Sequence, residues 1–234
     1  MSIIFENIHK AFGPKVILNG VDLEIGTGEC FFIIGGSGVG KSVLIKHLVG
    51  LLYPDGGEII LDGQPITFES STDARNHGIS IIHQELSLAP NLSVRDNIFM
   101  GREIRTATGV DFAEEARIAR ELMLELEEDI DPLTLVEDLR LGQQQIVEIA
   151  RALSVNSRIL IMDEPTSALS ATEVEVLFKV IRDLKARGVS IVYISHHLEE
   201  ALLITDHAVV LRDGNMTAKA PRAEIDLEWI VRNM

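Results

Sequence analysis

The sequence predicts an α/β chain: a mainly parallel β-sheet covered by helices, with an antiparallel β lobe at one side and a helical lobe inserted late. Three observations predict it. Short Ile/Val-rich runs alternate with longer helical patterns, the mark of a parallel sheet between helices. The first 30 residues and residues 57–68 carry turn pairs and no long helix. Residues 86–155 lack a convincing strand. The chain has 234 residues, 46% of them hydrophobic, enough to bury a sizeable core. It reads as one domain, 1–234, with three lobes and a helical subdomain at about 86–155.

Taken in order, the expected strands are 3–8, 21–25, 31–34, 58–61, 79–82, 159–162, 190–194 and 208–211. Ile159-Leu160-Ile161-Met162 is apolar throughout, as a strand buried on both faces must be. Expected helices are 41–52, 112–128, 143–154, 171–187 and 197–204. Asn19-Gly20, Asp55-Gly56-Gly57 and Asp62-Gly63 are expected turns of the antiparallel lobe.

Composition excludes some roles. The longest apolar runs are far too short to span a bilayer, and residues 1–6 show no signal-peptide pattern. Cys30 is the only cysteine, so no intrachain disulfide can form and a reducing compartment is expected. The net charge of −15 has the wrong sign for a chain that neutralises nucleic-acid phosphates, so no nucleic-acid partner is expected. Residues 111–138 hold eleven acids against Arg117 and Arg120. A solvated helical face is the plain reading, and an acidic surface facing a partner is the sharper one.

The chemistry begins after the strand Phe31-Phe32-Ile33-Ile34. There the chain reads Gly35-Gly36-Ser37-Gly38-Val39-Gly40-Lys41-Ser42, a G-x-x-x-x-G-K-S loop between strand and helix, as in a Walker A motif. Glycines let successive N–H groups turn toward phosphate oxygens, and the helix N-terminus adds positive potential. Lys41 is placed to reach the β- and γ-phosphates of a nucleotide, and Ser42 offers its hydroxyl to Mg²⁺. The second half lies far downstream. Asp163 ends the buried strand 159–162, beside the loop in an α/β sheet. It suits Mg²⁺ through water. Glu164, one residue on, is placed to polarise an attacking water. His196 follows the strand 190–194 and is expected at the γ-phosphate. His196 and His197 are neighbours rather than i and i+4, with no Cys or third His to complete a zinc site.

With these motifs in hand, the chain resembles the ATP-binding domains of ABC transporters along its whole length. Leu139-Arg140-Leu141-Gly142-Gln143 is similar to the family's signature sequence and precedes the second phosphate motif, as it does there. Gln84 resembles the Q-loop glutamine, Ser167-Ala168-Leu169-Ser170 the D-loop, and His196 the switch histidine. Phe12 stands where the family stacks an aromatic ring on adenine. The resemblance implies ATP and Mg²⁺, with Ser42, Gln84 and Asp163 toward the metal and Lys41, Gln84, Glu164 and His196 in hydrolysis. It implies a second ATPase domain, as a fused half or a second copy, so that each ATP lies between one Walker A loop and the opposing signature. It also implies membrane permease subunits, a substrate-binding protein, and a cytoplasmic position on the inner face of the cell membrane.

A narrower likeness is to the first ATPase half of ribose-, xylose- and galactose-type sugar importers. It rests on Ile82-His83-Gln84-Glu85-Leu86, Leu92-Ser93-Val94-Arg95-Asp96-Asn97-Ile98 and the run from Gly142 to Ala150. Met234 falls about where such a first half leads into a second, which leaves both a piece of a tandem ATPase and a separate ATPase chain open. Residues 35–52 are more similar to lipid-transport ATPases, which keeps a lipid or another substrate as the alternative, with a non-transport ABC ATPase behind it. The signature departs from Leu-Ser-Gly-Gly-Gln at Arg140 and Leu141, and the D-loop ends in Ser170 rather than Asp. Both motifs serve the opposite site, so the departures bear on the partner's ATP and not on this chain's own grip.

Overall fold

In the computed structural model, which describes residues 2–234, the apolar runs pair into a six-stranded sheet. Its strands are β3 (Cys30–Ile34), β6 (Ile79–Ile82), β9 (Ile159–Asp163), β10 (Ser190–Ile194), β11 (His207–Arg212) and β12 (Asn215–Pro221). Their order is β12-β11-β3-β10-β9-β6, and every neighbouring pair is parallel except β11 with β12. The period of two along each strand sends alternate side chains to different cores. Phe32, Leu160, Met162, Ile191 and Tyr193 face one cluster. Phe31, Ile33, Ile159, Ile161, Val192 and Ile194 face the other. Both faces are dry, which explains why these strands read as unbroken apolar runs.

The first cluster packs under α3 (Val94–Phe99), α4 (Phe112–Glu125), α5 (Leu141–Leu153) and α6 (Ala171–Ala186). The second packs under α1 (Lys41–Leu48), α2 (Ser71–Asn76) and the antiparallel sheet. That sheet runs β2-β1-β4-β5, from β1 (Ile3–Phe12), β2 (Lys15–Ile25), β4 (Gly56–Leu61) and β5 (Gln64–Ile66). Asp62 and Gly63 join β4 to β5 with φ of 49° and 80°, the two positive values of a type I′ turn.

Some expectations need correction. Asn19-Gly20 is not a turn: it lies inside β2, where a register shift opposite Ile8 and His9 makes Gly20 a bulge residue. The β1–β2 turn is Gly13-Pro14, so β2 starts at Lys15. Gly56 and Gly57 likewise lie in β4 rather than in a turn. Residues 86–155 do hold strands, a short pair β7 (Arg105–Thr106) and β8 (Gly109–Val110), too brief to show a period. The expected helix 41–52 stops at Leu48, where Gly50 at φ 67° reverses the chain. The expected helix 197–204 shrinks to α7 (Leu198–Ala201). Strand β12, its Asp213-Gly214 turn, and α8 (Leu227–Asn233) were not foreseen from sequence.

The acidic stretch is a solvated face laced with ion pairs. Arg117 bonds Glu114 at 2.6 Å and Glu121 at 2.5 Å. Arg187 meets Glu125 at 3.2 Å, and Lys179 meets Glu127.

Candidate functional site

Parallel pairing places the ends of three strands level: Ile194 stands beside Asp163 on one side and Ile33 on the other. The segments that leave these strands therefore converge at one edge of the sheet. The loop after β3, Asp163 and Glu164 at the end of β9, and Ser195 and His196 after β10 line one cavity of about 680 Å³. Gln84, from the loop after β6, lines it too.

The loop requires glycine where backbone crowds it. Gly40 has φ 110°, and a Cβ there would come within 2.9 Å of the Ile17 carbonyl. A Cβ on Gly35 would lie 2.5 Å from the Leu211 carbonyl. No side chain caps the start of α1, so its first amides are open to an anion. Lys41 Nζ donates to the carbonyls of Gly35 at 2.5 Å and Gly36 at 2.9 Å, which folds its charge over the loop. Burial lowers its pKa, opposed by the charges of Glu164 and Asp163. Asp163 moves the other way: burial first, then the charge of Glu164, raises its carboxyl.

Glu164 adopts φ 54°, a left-handed conformation that costs a non-glycine residue about 1–2 kcal/mol. Its N–H donates to the Ile194 carbonyl at 2.8 Å, which locks this turn to the neighbouring strand. The side chain is thereby aimed at His196, whose Nδ1 touches its carboxylate. The rings of His196 and His197 lie 4.1 Å apart at 39°, and no cluster of three metal-binding side chains occurs among the described residues. The donors facing the cavity fit Mg²⁺ instead. Ser42, Gln84 and Asp163 line the cavity with oxygen-bearing side chains, the hard ligand type such an ion takes.

The structure thus brings together Gly35, Gly36, Ser37, Gly38, Gly40, Lys41, Ser42, Gln84, Asp163, Glu164 and His196. Val39 belongs to the loop but turns inward, packed against the second core cluster. Phe12 does not line the cavity. It sits half-exposed at the end of β1, with Lys10 Nζ 5.7 Å from the ring centre, and is not a core residue. The motif 139–143 is also outside: Arg140, Gly142 and Gln143 line a different cavity, between α5 and α6. Ile17 and Met234 line the first cavity and were missed from sequence, since neither belongs to a motif. Glu173 was missed too, though Ser170-x-x-Glu173 is a legible capping box, and its carboxylate reaches Gly142 N at 2.9 Å.

A phosphate-cradling loop with an Asp-Glu pair and a histidine, on this sheet order, defines a nucleotide-binding cassette. Residues 18–167 match the ABC transporter family, and the chain belongs to that family. It is 50% identical to the ribose import ATP-binding protein RbsA of Rhodopirellula baltica, over 99% of this chain and 46% of that protein. It is 47% identical to ribose import ATP-binding protein RbsA 1 of Rubrobacter xylanophilus, over 97% and 45%. The chain spans about half the length of the curated relatives it matches. Among solved structures, it is similar to an ATP-binding cassette of an ABC transporter in its ADP conformation. That likeness has a TM-score of 0.84 and 25% identity, with all of both chains covered. It is also similar to a dimeric, post-hydrolysis cassette bound to ADP and Pi, at TM-score 0.78 and 26% identity, over 94% of this chain and 98% of that one.

Proposed function

We propose that this chain is one ATP-hydrolysing cassette, acting as a unit, that powers an importer for a sugar of the ribose class. The observation that carries the reading is the convergence of Lys41, Ser42, Asp163, Glu164 and His196 on one cavity. The substrate class comes from the ribose-import relatives. Loop amides and Lys41 hold the triphosphate, and Ser42, Gln84 and Asp163 hold Mg²⁺. The ion, when bound, neutralises charge on the transferring phosphoryl group. Glu164 orients the attacking water and accepts its proton, and His196 holds the γ-phosphate. The chemistry is positioning and charge rather than covalent catalysis.

Residues 139–143 meet the nucleotide of a partner ATPase domain in this reading, which is supported by their likeness to the family signature and by their lying outside this cavity. Permease subunits and a substrate-binding protein complete the machine, with this chain on the inner face of the cell membrane. No helix among the described residues is long and apolar enough to cross a membrane. A groove of about 270 Å³ lined by His83, the chain neighbour of Gln84, supports the permease contact. Arg75, Arg102 and Arg151 line it around Glu148, a basic spot on an acidic chain. Arg102 is anchored by Ile98 O at 2.5 Å and Ser154 Oγ at 3.0 Å.

The test is Glu164→Gln, which keeps shape and removes the base. It retains ATP binding and loses about 10²–10⁴ in hydrolysis in the assembled transporter. Lys41→Ala, by contrast, loses ATP affinity itself, a charge-assisted contact worth roughly 1.5–3 kcal/mol. Full activity in the first variant, or unchanged binding in the second, removes the assignment.

A further inference from the structure

Helix α5 begins without a side-chain cap of its own. Its N-cap residue, Arg140, has only donors and cannot accept from the amides of the first turn. Gln143 Oε1 accepts the N–H of Arg140 at 3.2 Å, which leaves the turn's own amides open. The acceptor for one of them comes from another helix. Glu173 Oε1 accepts from Gly142 N–H at 2.9 Å. The other oxygen of Glu173 accepts from Ser170 N at 2.9 Å and Ser170 Oγ at 2.7 Å.

One carboxylate thus bridges the first turns of α5 and α6. Ser170's amide and hydroxyl, and then the Gly142 amide, hold its carboxyl below the usual range, so it is charged at neutral pH. The fit is close: a Cβ on Gly142 would sit 2.7 Å from Glu173 Cγ. Arg140 adds its positive charge beside it. A helix N-terminal amide donates to a carboxylate or a phosphate oxygen by the same physics.

We infer that Glu173 is an internal substitute for the phosphate that residues 139–143 meet across the paired site, and that its carboxylate must leave Gly142 before two ATPase domains close. This rests on the proposal that two such domains pair around ATP. Glu173 opposes closure in two ways. It occupies an amide the γ-phosphate needs, and it repels the incoming triphosphate. When it swings away, the arm on Ser170 remains, so α6 keeps its cap while α5 is freed to hold phosphate.

The experiment uses the full chain with Glu164→Gln, which stalls hydrolysis, and follows ATP-driven pairing of two copies by sedimentation. Glu173→Gln keeps the shape and removes the charge. It is expected to pair at about three- to tenfold lower ATP, the difference between a charged and a neutral acceptor of one hydrogen bond. ATP affinity of the unpaired chain stays unchanged, and hydrogen exchange at the Gly142 amide speeds up without nucleotide. Asp111→Ala removes a cap of another helix, where Asp111 Oδ1 accepts from Glu114 N at 3.0 Å. It lowers stability without lowering the ATP needed. Pairing of Glu173→Gln only at equal or higher ATP, while the parent pairs, overturns the inference and leaves Glu173 a helix cap. If the parent binds ATP yet never pairs in any variant, pairing between two copies of this chain fails and the inference falls with it.

Discussion

The carboxylate of Glu164 rests against Nδ1 of His196, although each follows a different strand of the sheet. The contact exists because β9 and β10 are parallel neighbours with Asp163 level with Ile194, and because the Glu164 N–H is tied to the Ile194 carbonyl. Two groups that touch share one task. His196→Ala should lower ATP turnover while leaving nucleotide affinity within about threefold, and combined with Glu164→Gln it should be strongly non-additive. Turnover of the double variant falling by the product of the single losses would show that the two act independently.

Asp163 contributes unfavourably to the nucleotide-free fold. Burial and the Glu164 charge raise its pKa above the unfolded value, so the folded state binds the proton more tightly. Stability is therefore lost as pH rises from the unfolded pKa through the folded one, and the full cost applies above both. Asp163→Asn removes that cost. At pH 7 it should raise the Tm of the nucleotide-free chain by up to about 2–4 °C, with the gain vanishing in acid below the ordinary carboxylate range. The same variant should weaken Mg-dependent ATP binding. Thermal melts at several pH values check the first effect and nucleotide titration with Mg²⁺ the second, and a Tm lowered at pH 7 would overturn the argument.

Phe12 lies half-exposed at the end of β1, so its loss should cost the fold little. An unburied ring suits a base-stacking role. Phe12→Ala should weaken ATP by roughly 1–3 kcal/mol, the range for one stacked base, and free triphosphate hardly at all. Equal weakening of both, measured by titration calorimetry, would remove the adenine contact.

Arg140 is the N-cap residue of α5, where the family signature has a serine that, in the proposed pairing, would meet the partner's phosphate. Its guanidinium cannot copy a short hydroxyl contact, though its charge substitutes in part. The isolated chain should therefore be a slow ATPase at any protein concentration, and Arg140→Ser should accelerate it. Paired with a different ATPase domain, this chain's own Lys41, Asp163, Glu164 and His196 still face an intact signature, giving one strong and one weak site. A wild type already fast at low concentration, with serine making no difference, would show Arg140 to be harmless.

The loop 35–42, the Asp163-Glu164 pair and His196 were legible in the sequence because each rests on local chemistry. Glycines at fixed offsets permit one backbone path, and an unbroken apolar strand announces its own end. The Asp62-Gly63 turn was legible for the same reason. Asn19-Gly20 has equally strong local turn chemistry, yet it lies within β2, because pairing along β1 made it a bulge. Tertiary structure alone decided what depends on register between distant segments. It set Glu164 against His196, left Phe12 outside the cavity, and placed residues 139–143 away from that cavity. It also laid Glu173 on Gly142. Hydrogen-bond register and the packing of α5 beside α6 fix those neighbours, and neither quantity is written in any single stretch of sequence.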